Sequence, residues 1–337
     1  MSAIIKGRAH RFSKVTGLGV YRPTRVVSNE EICQNIESSD EWIRERTGII
    51  ERRFAEADIS IIDMAVAASE KAIADAGLAA GDIDGVILAT ISHALQTPAA
   101  ATMVADRLGL NNPAASDISA ACAGFSYGIA IADSLVSSSQ ANNVLVIGVE
   151  KLSDWTDKHD RGAAFIFADG AGAVVVSASD TPEISPTVWG SDGSDYDAII
   201  SEPNWLDLRN PEHTKAQGDW PVLRMQGQKV FRWAVGQMPA VCSQILDVAG
   251  LTPQDIDLFV PHQANLRITK AIVKALDFPE TVKIATDIET AGNTSAASIP
   301  LALDRMRQEG VAKSGDLALL VGFGAGLAYA GQVIRIP

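Results

Sequence analysis

The sequence predicts an α/β protein made of two similar halves, each running β-α-β-α-β-α-β-β, so that mixed sheets are covered by helices on both faces. Three observations carry this expectation. Residues 76–84 (Ala-Gly-Leu-Ala-Ala-Gly-Asp-Ile-Asp) and 249–257 (Ala-Gly-Leu-Thr-Pro-Gln-Asp-Ile-Asp) are near copies 173 positions apart, about half of the 337-residue chain. Each copy follows an amphipathic helical run, 63–76 or 234–249, and precedes an apolar strand, 85–90 or 258–261. Both halves also close alike: Phe167-Ala-Asp-Gly-Ala-Gly-Ala-Val-Val-Val and Phe323-Gly-Ala-Gly-Leu-Ala-Tyr-Ala-Gly-Gln-Val each read as strand, glycine turn, strand. The halves are placed at 1–180 and 181–337.

In chain order, residues 1–15 are basic but lack the apolar segment of a secretion signal. The helix 63–76 and strand 85–90 open the first half. A short run ending at Cys122 then leads into a helical pattern after Gly124. Residues 180–220, rich in Pro, Asp, Gly and Trp, read as a linker and surface excursion rather than a domain. The helix 234–249 and strand 258–261 open the second half. Residues 317–334 carry no charge, but Gly322, Gly324, Gly326 and Gly331 interrupt them and their tail alternates. They read as a buried strand, a glycine turn and a second strand, not as a membrane span.

Composition narrows the function. A net charge of −13 and a pI near 4.8 argue against nucleic acid as the main partner. No other window approaches a membrane span, so no membrane partner is expected. A 47% hydrophobic content with mean hydropathy +0.11 fits a large core or a buried subunit interface. Three widely spaced cysteines make neither a disulfide framework nor a zinc pattern, which fits a reducing cytoplasm; no metal and no bound cofactor are expected.

Cys122 is the most informative residue. It lies near a predicted helix N-terminus, where unpaired N–H groups and the helix dipole favour thiolate. Ala120, Ala121, Ala123 and Gly124 leave room beside it for a substrate carbonyl. Cys33 and Cys242 read as buried small hydrophobes. Two later segments complete a constellation. His262 follows the strand that ends at Pro261, and Asn293 lies in the small-residue loop Thr290-Ala-Gly-Asn-Thr-Ser-Ala-Ala-Ser. Thiolate, imidazole and carboxamide supply a nucleophile, a proton carrier or hydrogen-bond donor, and a neutral second donor. Adding the repeat offset to Cys122 lands two residues from Asn293, so the two loops fall at nearly equivalent places. His10, His93, His159 and His213 have no partner motif and read as non-catalytic. Gly322-Phe-Gly-Ala-Gly superficially suggests a dinucleotide fingerprint, but a strand follows it where that motif must open a helix. Asp169-Gly170-Ala171-Gly172 reads as structural.

These motifs, with Ser38-Ser-Asp-Glu-Trp-Ile, Arg46-Thr-Gly-Ile, Cys122-Ala-Gly-Phe, Asp160-Arg-Gly, Pro261-His-Gln-Ala-Asn-Leu-Arg-Ile and Gly292-Asn-Thr-Ser-Ala-Ala-Ser, run almost end to end. By them the chain resembles the β-ketoacyl-[acyl carrier protein] synthase III family of the thiolase superfamily, with wording closest to the actinobacterial branch. The resemblance implies the thiolase fold, two pseudo-symmetric βαβαβαββ halves in five α-β-α-β-α layers. It also implies an initiating reaction of type II fatty acid synthesis. Cys122 would take an acyl group from acyl-CoA, then condense it with malonyl-ACP, releasing CO2 and 3-oxoacyl-ACP. The backbone N–H groups of Cys122 and Ala325 would form the oxyanion hole, and neutral His262 and Asn293 would stabilise the enolate. Phe323 would sit beside the departing carboxylate. Asn293, where elongating enzymes carry a second histidine, marks the CoA-primed class.

For CoA the resemblance points to Trp42, Arg46 and Arg161 at the nucleotide, with Phe231 and Asn265 along the pantetheine tunnel. Arg267, Lys270 and Lys274 share one helical face by spacing. With Gln263, Ala264, Asn265 and Leu266 they form the expected docking surface for acidic ACP, to which Lys229 and Arg232 could add. Thr97 and Gln96 are assigned to the acyl pocket, Thr97 reaching it across a homodimer interface in place of a bulky aromatic that restricts primer length. Other readings remain: a related acyltransferase of secondary metabolism with another acceptor, a Cys-His-Asn hydrolase whose local papain signature is absent, or a non-catalytic thiolase-fold subunit.

Overall fold

The computed structural model describes residues 11–209 and 220–337. The first half begins with β1 (Phe12–Tyr21) and a small antiparallel pair, β2 (Arg25–Ser28) and β3 (Glu51–Phe54), around helices α1 (Asn29–Cys33) and α2 (Asp40–Thr47). It continues through α3 (Ile61–Asp75), β4 (Gly85–Ala89), α4 (Ala100–Arg107), β5 (Ala114–Ile118), α5 (Gly124–Ser137), β6 (Asn143–Lys151) and β7 (Asp169–Ser179). The second half contains β8 (Val188–Ser191), a ribbon of β9 (Ile199–Glu202) and β10 (Val222–Met225), α6 (Gly227–Ala249), β11 (Leu258–Pro261) and α7 (Leu266–Leu276). It ends with β12 (Lys283–Ile284), α8 (Ile288–Ala291), α9 (Ser298–Gln308), β13 (Leu317–Gly324) and β14 (Ala328–Arg335).

The strands form two five-stranded sheets, β1-β7-β6-β4-β5 and β8-β14-β13-β11-β12. In each, the half's own strands stand in the order first, fifth, fourth, second, third. The pairing is parallel around the second strand and antiparallel toward the first. Helices α3 and α4 cover the outer face of the first sheet with an Ile, Val and Ala core. Helices α6 and α7 do the same for the second. Between the sheets lie α5 and α9, whose Phe125, Ile129, Val136, Ile299, Leu303 and Met306 join strands of both sheets in one core. The layers are thus α-β-α-β-α, as in the thiolase fold.

Two readings of the sequence change. The 180–220 stretch is not only an excursion, because it holds β8, the edge strand of the second sheet, and β9. The Asp169–Gly172 segment is not a turn either. It lies inside β7, paired with both β6 and β1, and a Cβ at Gly172 would meet Pro300 Cγ of α9 at 2.5 Å. Glycine there lets a central helix press on the sheet. Consequently β13, with Phe323, is the counterpart of β6 rather than of β7.

The internal symmetry is sharpest where the central helices begin. Each is preceded by a 3₁₀ turn, 121–123 before α5 and 295–297 before α9. Each turn opens on a non-glycine residue with positive φ, Ala121 at 44° and Ser295 at 48°. Each elbow also presses on the other half's central sheet at a glycine: a Cβ on Gly148 of β6 would lie 2.2 Å from Ala296 O, and one on Gly322 of β13 would lie 2.9 Å from Ala123 Cα. The two elbows are therefore packed back to back at the centre of the molecule.

Candidate active site

Cys122 sits in the first elbow, buried, with its side chain toward β13. A Cβ on Gly324 would be 2.8 Å from Cys122 Sγ, so glycine is what makes room for the sulfur. The backbone N–H groups of Cys122 and Ala325 converge on the sulfur, and the Ser295 hydroxyl adds a third polar neighbour. Burial dominates all the same and pushes the thiol up to about 12. The helix N-terminus alone therefore does not offset burial and deliver a thiolate.

His262 is placed by β11, which ends at Pro261, and its N–H donates to Val321 O at 2.8 Å. The ring is buried, its edge packs on Phe323 with centroids 5.4 Å apart, and burial drives its pKa down to about 3, so it is neutral. Nδ1 lies 2.7 Å from Ser298 Oγ, which already accepts from the Gln263 N–H. The Ser298 proton is thereby directed at Nδ1, and the ring proton is assigned to Nε2. Asn293 is held by its backbone, which bridges to the Phe167 segment of the other half: its N–H donates to Ile166 O and its carbonyl accepts from Ala168 N–H. Its side-chain Oδ1 accepts from Ser295 N–H at 2.9 Å, which leaves the NH2 group as the free donor.

All three residues line one cavity of about 640 Å³. Its buried end holds Cys122, His262, Asn293, Phe323 and Ala325, and its outer part holds Trp42, Arg46, Arg161, Phe231, Arg232, Asn265 and Arg267. Trp42 stands edge-on to Phe165, with the Arg161 guanidinium 5.4 Å and that of Arg46 6.0 Å from its ring centroid. Arg267 lies 5.0 Å over Phe231. Asn265 caps α7 and donates to Arg46 O, tying the two sides of the mouth together. A second cavity of about 340 Å³ lies behind the elbow, lined by Ala120, Trp155, Tyr196 and Ile200 among others and sharing Ile91, Ala121, Leu152, Ile199, Leu223 and Ala325 with the first.

Family models place this arrangement. Residues 116–193 match the model described as 3-oxoacyl-[acyl-carrier-protein] synthase III, and residues 246–336 match its C-terminal counterpart. The chain is 51% identical over its whole length to a full-length β-ketoacyl-[acyl-carrier-protein] synthase III of Streptomyces glaucescens. It is 53% identical to the mycobacterial enzyme of that name from Mycobacterium marinum, over 95% of this chain and 94% of that one. The chain belongs to the 3-oxoacyl-[acyl-carrier-protein] synthase III family. Among solved structures, the priming β-ketosynthase of the R1128 polyketide pathway superposes with a TM-score of 0.95 at 44% identity, covering 99% of both chains. The synthase III of Aquifex aeolicus superposes at 0.88 with 39% identity, over 96% of this chain and all of that one.

Within this synthase III chain, several sequence expectations need correction. Gln263 is not a surface residue: it is buried, and its amide is spent on Pro261 O, Ala285 O and Ile288 N–H. Leu266 is buried too. Lys229 is paired with Asp195 at 2.6 Å and Asp197 at 3.4 Å, which removes it from any free basic patch. Arg267, Lys270 and Lys274 are all exposed along α7. Gln96 and Thr97 are exposed in the 91–99 loop and line neither cavity within the single chain, whereas Ile91 at the start of that loop lines both. Cys242 is buried as expected, whereas Cys33 is only half-buried. His93 and His159 line neither cavity, while His10 and His213 lie outside the described residues.

The sequence reading missed the second cavity's wall and two polar groups, Ser298 and Glu150. Ser298 was readable only as one more small residue in a loop. Glu150 is the penultimate residue of β6 and is fully buried, and nothing in its neighbourhood along the chain announces it. Among the described residues no cluster of His, Cys, Asp and Glu could hold a metal, and no helix is long and apolar enough to cross a membrane.

Proposed function

We propose that this synthase III chain acylates Cys122 from acyl-CoA and condenses the acyl group with malonyl-ACP, and that Cys122, His262 and Asn293 divide the work. The observation that carries this is their convergence at the buried end of one cavity whose mouth presents an indole with two guanidiniums near its ring. The adenine of CoA stacks at Trp42 with Arg161 and Arg46, and the pantetheine arm passes Phe231 and Asn265. Cys122 Sγ attacks the thioester carbon, and the tetrahedral oxyanion is held by the N–H groups of Cys122 and Ala325. The C–S bond to CoA breaks, leaving the acyl-enzyme. The acyl chain runs into the second cavity, whose wall is mostly apolar, with Ser119, Tyr196 and Ser201 as its polar members.

Malonyl-ACP then enters by the same mouth. His262 Nε2–H and the Asn293 amide donate to its thioester oxygen, the C–C bond to the carboxylate breaks, and CO2 leaves. The enolate carbon attacks the acyl carbonyl and expels the Cys122 sulfur. Phe323 packs on His262 and keeps water from the enolate. ACP docks on Arg267, Lys270 and Lys274 with Ala264 and Asn265 at the rim. The enzyme acts as a cytoplasmic homodimer, with the partner's 91–99 loop bringing Thr97 to the acyl cavity.

Incubating the protein with malonyl-ACP and a panel of acyl-CoAs, with products identified by mass, tests this. The expected result is 3-oxoacyl-ACP, CoA and CO2. Release of free acid alone would establish the hydrolase instead. A second reading keeps the chemistry but changes the pathway. The likeness to a polyketide-priming ketosynthase favours it, and a preference for a different carrier protein in the same assay would select it.

A further inference from the structure

The mechanism leaves one question open in chemistry: where the Cys122 proton goes. His262 is a neutral donor whose Nδ1 is already engaged by Ser298. The structure offers another acceptor. Glu150 of β6 is fully buried, and its Oε2 accepts from Ser92 Oγ at 2.6 Å and Thr90 Oγ1 at 3.2 Å, with Ile91 N–H at 3.2 Å. Between this carboxyl and Cys122 stands Ser295. Its hydroxyl is buried and closes a well-formed hydrogen bond with neither, yet it lies near enough to interact with both. Glu150 also occupies the place in β6 that Gly324 occupies in β13, both lying two residues beyond the glycine on which the opposite elbow packs. Where one strand clears space for sulfur, the other fills it with a carboxyl.

We infer that Ser295 and Glu150 form a proton relay for Cys122, an inference that rests on Cys122 being the nucleophile. As Sγ attacks the acyl-CoA carbon, its proton passes to Ser295 Oγ while the Ser295 proton passes to the Glu150 carboxylate. The CoA thiolate leaves and takes a proton from water at the cavity mouth. When condensation expels the Cys122 thiolate, the Glu150 proton returns by the same path and restores thiol and carboxylate. The net uptake of one solvent proton is that of the decarboxylation. Ser295 acts on the reacting atom, and Glu150 acts through Ser295.

Two further observations fit. Burial raises Glu150 to about 7, so near neutrality it both takes and gives a proton. Among the described contacts, the groups facing it are the Thr90, Ser92 and Ser295 hydroxyls, Ile91 N–H and Cys122. On its own strand, Lys151 turns instead to the carbonyls of Glu56 and Ala57 and to Asp154. Opposite on β7, the Asp169 carboxylate is used by Ala55 N–H and Ser153. A carboxyl whose folded pKa is raised is a cost to folding. The folded state binds more protons than the unfolded one between roughly pH 4.3 and the folded value, so stability falls as pH rises through that window.

The test follows Cys122 directly. Rapid-quench acylation by acyl-CoA and alkylation by iodoacetamide are measured from pH 6 to 10 for the wild type, Glu150→Gln, Glu150→Asp and Ser295→Ala. Ser295→Ala keeps the backbone N–H that Asn293 accepts, so it breaks the relay without removing that support. The expected result is at least a tenfold loss in both rates at pH 7 for Glu150→Gln and Ser295→Ala, with both rates climbing toward the wild type at high pH. Glu150→Asp recovers part of the loss. In a Cys122→Ala background, Glu150→Gln leaves malonyl-ACP decarboxylation intact. Wild-type profiles in both relay variants, or loss of decarboxylation along with acylation, would overturn the relay. A wild type that alkylates with the relay's pH profile but takes no acyl group from any acyl-CoA would instead sink the proposed function and leave the relay standing.

Discussion

The two elbows at the centre of the molecule share a backbone and differ in chemistry. Ala120 and Thr294 enter them with similar angles, Ala121 and Ser295 take the same left-handed turn, and α5 and α9 leave them alike. In the first elbow the residue after the strained position is Cys122; in the second it is Ala296. Three residues upstream stand Ser119 and Asn293, and two downstream stand Gly124 and Ser298. In the proposed reaction one elbow carries the nucleophile. The other carries a carboxamide aimed by its own turn and a hydroxyl that fixes the imidazole. Duplication supplied the geometry twice, and in the proposed reaction the second copy serves to stabilise charge. Because each elbow presses on the other half's sheet, the two chemistries meet without a loop having to span the gap.

The largest break in this comparison comes from removing the nucleophile. Cys122→Ala should reduce acylation and condensation below detection while retaining malonyl-ACP decarboxylation, since His262 and Asn293 belong to the other half. Intact-protein mass after incubation with acyl-CoA reads the first, and CO2 release the second. Acyl label on Cys33 or Cys242 would contradict the assignment. Next, His262→Ala or Asn293→Ala should lower decarboxylation by about 10²–10³-fold, the usual loss for one preorganised donor. Acylation of Cys122 should fall far less. The reverse order of effects would exchange the roles of the two elbows.

Two substitutions probe the supports. Gly324→Ala places a Cβ in the space of Cys122 Sγ, at 2.8 Å. Either the sulfur or β13 must shift, and acylation should drop by well over tenfold with the fold retained, as circular dichroism would show. Ser298→Ala removes the hydroxyl that orients His262. A lost neutral hydrogen bond of about 1–1.5 kcal/mol corresponds to roughly tenfold, and the loss should appear in the decarboxylation rate and not in acylation. Equal loss in both would mean that Ser298 supports the elbow and not the imidazole.

How much of this was legible in the chain follows from what each signal depends on. The duplication was readable because the repeated segment lies at the surface end of a helix and the start of a buried strand, where local patterning sets the residue types. Cys122, His262 and Asn293 were readable because each lies at an element end in a run of small or apolar residues. Strand β8 was not, since four residues at a sheet edge carry little periodicity and sat among turn-forming residues. The glycines of β7 were misread as a turn because their cause is α9 pressing from another part of the chain. Glu150 and Ser298 were missed for the same reason: a buried polar group takes its meaning from partners distant in sequence. Gln263 was misplaced by continuity, as neighbours of an exposed stripe need not be exposed themselves.

The smallest expected effect concerns primer length, and it tests whether the apolar cavity behind the first elbow extends past one chain. Within the chain its wall is formed by Ile91, Leu152, Trp155, Ile199 and Leu223, and Trp155 is itself backed by Trp205 and Trp220 at centroid distances of 6.3 and 5.6 Å. Its volume of about 340 Å³ holds more than an acetyl group. Each further CH2 buried against such a wall is favoured by about 0.8 kcal/mol. Primers longer than acetyl should therefore be accepted at least as well as acetyl-CoA. Thr97 is exposed in the single chain, so a Phe at this position can restrict the cavity only if a partner subunit carries it there. Thr97→Phe should shift the preference toward short primers by a fewfold in kcat/KM, and light scattering should show a dimer in both proteins. A primer profile unchanged by Thr97→Phe in a proven dimer would place the gate among the tryptophans of this chain, where Trp155→Ala should then lengthen the preferred primer.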